Sequence, residues 1–170
     1  MPRATFACSR NWPFATASLG SPIATSSSSN SSSAWRRYGA QFGVVLLDLD
    51  HFKAVKDRYG HPAGDQLLQA VASSLRSSVR EADLPGRWGG EESLVIATFA
   101  DRAGLAALTE RVCRRIEATT AVVGRAQPRT TCSTGATACC ETDDRHSLAG
   151  RADRLLYESR TRGRNCVTYG

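Results

Sequence analysis

Val44-Val45-Leu46-Leu47-Asp48-Leu49-Asp50 decides how the rest of this chain is read. A short continuous apolar run reads as a strand buried on both faces. Two carboxylates stand at its exit. Outward from that strand, Phe52 to Tyr59 predicts a short helix stopped by Gly60, with His61-Pro62 just beyond. A second helix is predicted from Ala63 to Val79, where Leu67, Leu68, Val71, Leu75 and Val79 recur on one face. Arg87-Trp88-Gly89-Gly90-Glu91-Glu92 leads into Leu94-Val95-Ile96 and predicts a β-hairpin with a Gly-Gly tip. Leu105, Leu108, Val112 and Ile116 mark a third helix, from Asp101 to Thr119. Thr130 to Thr137 is β-prone, Leu148, Ala152, Leu155 and Leu156 mark a fourth helix, and Cys166 to Tyr169 is a last strand. The predicted order is β-α-α-β-β-α-β-α-β: an α/β sheet with helices on its faces and no internal repeat.

Composition narrows the function classes. The chain has 170 residues, 41% hydrophobic and 22% charged, enough for one domain with a real core. The net charge of +6 is unevenly placed. Arg3, Arg10, Arg36 and Arg37 precede the first acidic residue, Asp48, and from residue 44 onward 18 basic residues face 16 acidic ones. That near-balance gives no basic footprint for a nucleic acid. No apolar run reaches the ~18 residues of a membrane span. Cys8, Cys113, Cys132, Cys139, Cys140 and Cys166 form no CxxC pair and no zinc spacing, so free thiols in a reducing, cytoplasmic setting are expected. Residues 1–34 stand apart. Positions 26–33 hold seven Ser in eight, a composition that cannot offset its ordering entropy, and a disordered segment is expected there.

The chemistry lies in the carboxylates. Asp48 and Asp50 end a buried strand, and Glu91-Glu92 flank a hairpin tip. Mg²⁺ takes hard oxygen ligands from such groups and the remainder from phosphate and water. Alone, this spacing also fits a solvated strand end. Three blocks taken together are more specific: D-L-D-H-F-K-A-V-K-D-R-Y-G-H-P-A-G-D from Asp48, R-E-A-D-L-P-G-R-W-G-G-E-E from Arg80, and Y-E-S-R-T-R-G-R-N from Tyr157. In order and spacing they resemble the GGDEF family, the diguanylate cyclases, with a domain expected over residues 42–170. The resemblance implies a fold similar to the polymerase palm and adenylyl cyclase core, a central, mostly antiparallel sheet flanked by helices. It implies condensation of two GTP into cyclic di-GMP and pyrophosphate by two-metal chemistry with Mg²⁺ or Mn²⁺, in a homodimer whose halves each hold one GTP.

Carried over by position, Asp48, Glu91 and the Leu49 carbonyl look like metal ligands. Glu92 resembles the acid assigned to metal binding or to activation of the 3′-hydroxyl. Lys53, Arg160 and Arg164 match triphosphate contacts, although solvated surface charge is the ordinary reading of such residues. Asp65 matches the carboxylate that accepts hydrogen bonds from guanine, Lys56 stands where the family reads guanine, and Phe52 falls among the substrate-binding positions. Gly89 and Gly90 allow close approach of the nucleotide. Arg80 and Asp83 match the RxxD product-inhibition site, against the simpler reading of a salt bridge at a helix end.

The sequence departs from the family pattern in three places. Lys56 replaces an Asn, and an ammonium cannot reproduce an amide's donor and acceptor. Ser93 replaces the Phe that ends the signature and packs under the hairpin. A D-x-L-T-G-L-x-N-R-R block is absent, and Asn11 to Ala34 fills its interval. One hypothesis is that this interval is the coding region read in a shifted frame, which the upstream nucleotide sequence would decide. These departures set two expectations side by side: a weakly active cyclase, or a catalytically degenerate module that binds cyclic di-GMP or GTP.

Overall fold

The computed structural model describes residues 42–98, 100–140 and 142–170. The Ser-rich segment and the shifted-frame hypothesis therefore lie outside the described residues. Among those described, five strands form one sheet: β1 (Phe42–Leu49), β2 (Leu84–Gly89), β3 (Glu92–Thr98), β4 (Cys132–Ala138) and β5 (Val167–Tyr169), in spatial order β2-β3-β1-β4-β5. β1 pairs antiparallel with β3 and β4, and only β4–β5 is parallel. Four helices, α1 (Phe52–Tyr59), α2 (His61–Ser78), α3 (Arg102–Glu117) and α4 (Arg145–Thr161), complete the expected order.

β1 is central, so its apolar run is covered on both sides. Val45, Leu47 and Leu49 face a large core built with α1, α2 and α3. Val44 and Leu46 face a smaller one built with Leu148, Ala152 and Leu156 of α4. The strand's period of two thus sends Asp48 toward the α4 side. α4 packs closely because β4 carries Gly135, where a Cβ would collide with the Ala152 carbonyl oxygen and the Leu156 nitrogen.

Three boundaries differ from the sequence reading. α2 begins at His61, because Pro62 in a first turn has no N–H that the helix needs. Gly60, at φ 85°, joins α1 to α2 directly. β2 begins at Leu84 despite Pro85, which an edge strand tolerates. The hairpin tip is Gly90-Glu91 rather than Gly89-Gly90: Gly89 still pairs with Glu92 after a bulge at Arg87/Gly89. The five described cysteines are free.

Candidate active site

The site forms where β1 and β3 end side by side. Asp48 is the register partner of Glu92, so two carboxylates on the α4 face become neighbours. α4 delivers the matching cation. Arg160 Nη2 lies 2.5 Å from Asp48 Oδ2 and 3.2 Å from Glu92 Oε1. Burial lifts the Asp48 carboxyl above the ordinary carboxylate range; Arg160 opposes this, while Glu91 and Asp50 add to it. Burial likewise lifts Glu92, reinforced by Asp48 and Asp153 and opposed by Arg160. Burial also disfavours the guanidinium charge, but the two carboxylates outweigh it and Arg160 is held more firmly protonated. Two acids that retain protons more tightly than usual, bridged by one cation, form a pair suited to a positive ion or to proton exchange.

The hairpin tip beside them is fixed by a residue the sequence reading passed over. Arg87 donates from Nε and Nη2 to the Gly90 carbonyl at 2.8 and 2.6 Å. Its three-residue offset across a tight turn is the only sequence signal for this. Gly90 itself sits at φ 48°, in the left-handed region that favours glycine. Glu91, half-buried at the tip, lies close enough to Asp48 to act on its charge.

The other expected residues separate by environment. Lys53, Asp65 and Arg164 are exposed, and Gly89 is exposed beside the tip. Phe52 is buried in the larger core. Lys56 lays its stem against Gly64, where a Cβ would stand 2.7 Å from Cγ, and its ammonium lies 4.8 Å from the Phe52 ring centroid. Ser93 is 4% exposed, opposite Leu47. Asp50, the second carboxylate of the strand exit, is 4% exposed and takes no part in the Arg160 bridge. Its oxygens accept from Ser133 Oγ, Thr131 Oγ1 and the Asn165 N–H.

Arg80 and Asp83 are not brought to the carboxylates. Asp83 Oδ1 accepts from the N–H of Thr98, at the opposite end of β3 from Glu92. Six strand steps of about 3.3 Å put roughly 20 Å between the two ends. Asp83 Oδ2 accepts from the Arg80 backbone N–H at 2.9 Å, so the contact between these two residues is a turn and not a guanidinium–carboxylate bridge. Arg80 is exposed beside a shallow cleft that also involves Thr98, Gly104 and Arg111.

A mostly antiparallel sheet flanked by helices, with paired acids and a Gly-Gly-Glu-Glu hairpin at the exit of its central strand, defines an α/β domain with an acidic site at the end of its sheet. Sequence and structure comparisons specify it. Residues 23–166 match the family model described as diguanylate cyclase, GGDEF domain, a match that begins ahead of Phe42. The chain is 41% identical over 132 residues to diguanylate cyclase VdcA of Vibrio cholerae, covering 76% of this chain and 39% of that protein. It superposes on diguanylate cyclase SiaD of Pseudomonas aeruginosa, solved with its activator SiaC, at TM-score 0.78 and 30% identity, covering 83% of this chain and 54% of that one. It superposes on the GGDEF domain of DgcB from Caulobacter crescentus, solved with c-di-GMP, at TM-score 0.75 and 29% identity, covering 81% and 83%. The chain belongs to the GGDEF family, a family of nucleotidyltransferases that use divalent metal ions. It spans less than half the length of the curated relatives it matches. No described helix is long and apolar enough to cross a membrane.

Proposed function

We propose that this chain is a cytoplasmic diguanylate cyclase of low activity, condensing two GTP into cyclic di-GMP in a homodimer, with residues 42–170 as its GGDEF domain. The observation that carries the reading is the Asp48–Glu92 pair, held as strand neighbours beside the hairpin tip and bridged by Arg160. No described group of three or more acidic, His or Cys side chains is gathered as a complete metal cage. Two neighbouring carboxylates nevertheless fit an ion that completes its shell with phosphate and water. In this reading Asp48, Glu91, Glu92 and the Leu49 carbonyl hold Mg²⁺ or Mn²⁺. When bound, the metal supplies charge neutralisation at the transferring phosphate.

The chain's own residues do the rest. Lys53, Arg160 and Arg164 hold the triphosphate, Arg160 exchanging carboxylate partners for phosphate oxygens. Asp65 and Lys56 meet the guanine edge, with Phe52 supporting Lys56 from below. Glu92, with its raised proton affinity, accepts the 3′-hydroxyl proton as O3′ bonds to the α-phosphorus and pyrophosphate departs; the same exchange in the partner half closes the ring. At the distant end Arg80 holds the product, on a turn that Asp83 fastens through the Arg80 and Thr98 backbone N–H groups.

Lys56 favours a second reading, a non-catalytic module that binds the nucleotides. Its ammonium sits over an aromatic ring and offers guanine no acceptor. Incubating the purified chain with GTP and Mg²⁺, with chromatography for cyclic di-GMP and pyrophosphate, tests the first reading. Stoichiometric release of both supports it. Unchanged GTP together with calorimetric binding of either nucleotide would replace it with the second.

A further inference from the structure

Asp50 takes no part in the chemistry just described, yet it is the more elaborately held of the two strand-exit carboxylates. Ser133 Oγ donates to Oδ1 at 2.6 Å, Thr131 Oγ1 donates to Oδ2 at 2.6 Å, and the Asn165 N–H donates to Oδ2 at 3.0 Å. Its own backbone joins the same place: the Asp50 N–H donates to the Thr131 carbonyl and Thr130 Oγ1 donates to the Asp50 carbonyl. None of the described ion pairs involves it. One buried side chain therefore fastens the end of β1 to the first residues of β4 and the residue ahead of them, and to the turn between α4 and β5.

That turn is strained. Gly163, Arg164 and Asn165 have φ of 110°, 66° and 45°, so two successive non-glycine residues lie in the left-handed region. Such conformations persist only where the surroundings over-determine them. Here the Arg164 N–H donates to the Ser159 carbonyl, Asn165 Nδ2 donates to Glu117, and the Asn165 N–H donates to Asp50. Of these partners only Asp50 directly follows the strand carrying Asp48.

We infer that Asp50 is a positioning residue: by clamping the Asn165 N–H to the exit of β1, it keeps the left-handed Arg164 in register with Asp48 for binding a nucleoside triphosphate. The inference rests on the reading that Arg164 meets the phosphates. It also makes a chemical distinction. In Asp50→Asn the amide oxygen can take the Oδ2 position and the amide N–H₂ can face Ser133 Oγ, which accepts as readily as it donates. The clamp survives. In Asp50→Ala it is lost.

Amide hydrogen exchange and nucleotide affinity test this together. In the unsubstituted chain the Asn165 amide should exchange slowly, although the residue is exposed. Asp50→Ala should accelerate that exchange at least about tenfold and weaken Mg²⁺-GTP binding about tenfold, the value of one lost hydrogen bond to a charged group. GMP binding should stay unchanged. Asp50→Asn should behave as the parent does in each assay, and Asp50→Ala should cost nothing further when added to Arg164→Ala. An unprotected Asn165 amide in the unsubstituted chain overturns the clamp even if Asp50→Ala fails to fold. Equal losses for GTP and GMP, or additive effects with Arg164→Ala, reduce Asp50 to a packing residue. If the unsubstituted chain binds no GTP, the functional reading fails, and amide exchange alone decides the clamp.

Discussion

The two ends of the sheet use the same residue types in opposite ways. At the exit of β1, Asp48 and Glu92 meet a guanidinium, and their backbone neighbours are left to the strand ladder. At the entry, Asp83 is 3% exposed and spends both oxygens on backbone N–H groups. Asp143 is likewise absorbed by the chain, paired with Arg151 at 2.6 Å while Arg151 also donates to Thr137 and Ala138 of β4. At the exit, Asp48 and Glu92 therefore keep charge that can be traded for another partner, while Asp50 beside them is already spent on the chain's own donors. The entry uses acids as fasteners. A carboxylate's burial says little about which it is; the identity of its donors does.

Substitutions at each end should separate the two. Asp48→Asn should cost on the order of a thousandfold in cyclic di-GMP formation, about 4 kcal/mol at the transition state, with Tm near that of the parent. Retained turnover in a product assay would remove Asp48 from the chemistry. Asp83→Ala should act on the fold instead. It orphans two backbone donors, for about 2–4 kcal/mol and a Tm lowered by roughly 6–20 °C. A calorimetric scan matching the parent would show that the entry end needs no fastener.

Arg80→Ala sharpens the contrast within one turn. Asp83 uses the Arg80 backbone, which the substitution keeps, so Tm should hold. Cyclic di-GMP affinity should fall by about ten- to a hundredfold if the side chain meets the product. Identical titrations for parent and variant would assign Arg80 to the surface alone. The smallest effect concerns acid. Arg151 holds the Asp143 carboxyl down to about 2, from an ordinary 3.8. The unfolded chain then binds this proton more readily than the folded one. The stabilisation is present above about pH 4 and fades as the pH falls toward 2. Asp143→Asn should flatten Tm against pH in that window, and parallel curves would exclude the pair as an acid-sensitive contact.

Much of this was legible before any coordinates, for identifiable reasons. The apolar run of β1 and the stripes of α2 and α3 are periodic, and periodicity reports burial directly. The pairing of Asp48 with Glu92 was legible only as proximity to a hairpin, because register depends on where the tip turns, and the tip lies one residue later than Gly-Gly suggests. Asp50 was read as half of a carboxylate pair. Its donors, Ser133, Thr131 and Asn165, are more than eighty positions away, and no local pattern announces them. Asp83 and Thr98 are only 15 positions apart, yet their bond too depends on the hairpin register that returns β3 to the start of β2.

Gly135 gives the candidate site an unusual dependence. The spacing between β4 and α4 is set by a missing side chain, since a single added carbon meets helix backbone, which cannot swing aside as a flexible side chain would. Arg160 rides on that same helix, just beyond the point of contact, and its 2.5 Å approach to Asp48 inherits the spacing. A methyl group at position 135 would act as a shim under a lever, and a displacement of about 1 Å at reacting groups can cost on the order of a hundredfold in rate. The calibration of the charged end of this domain is thus set by a residue that has no functional group to contribute.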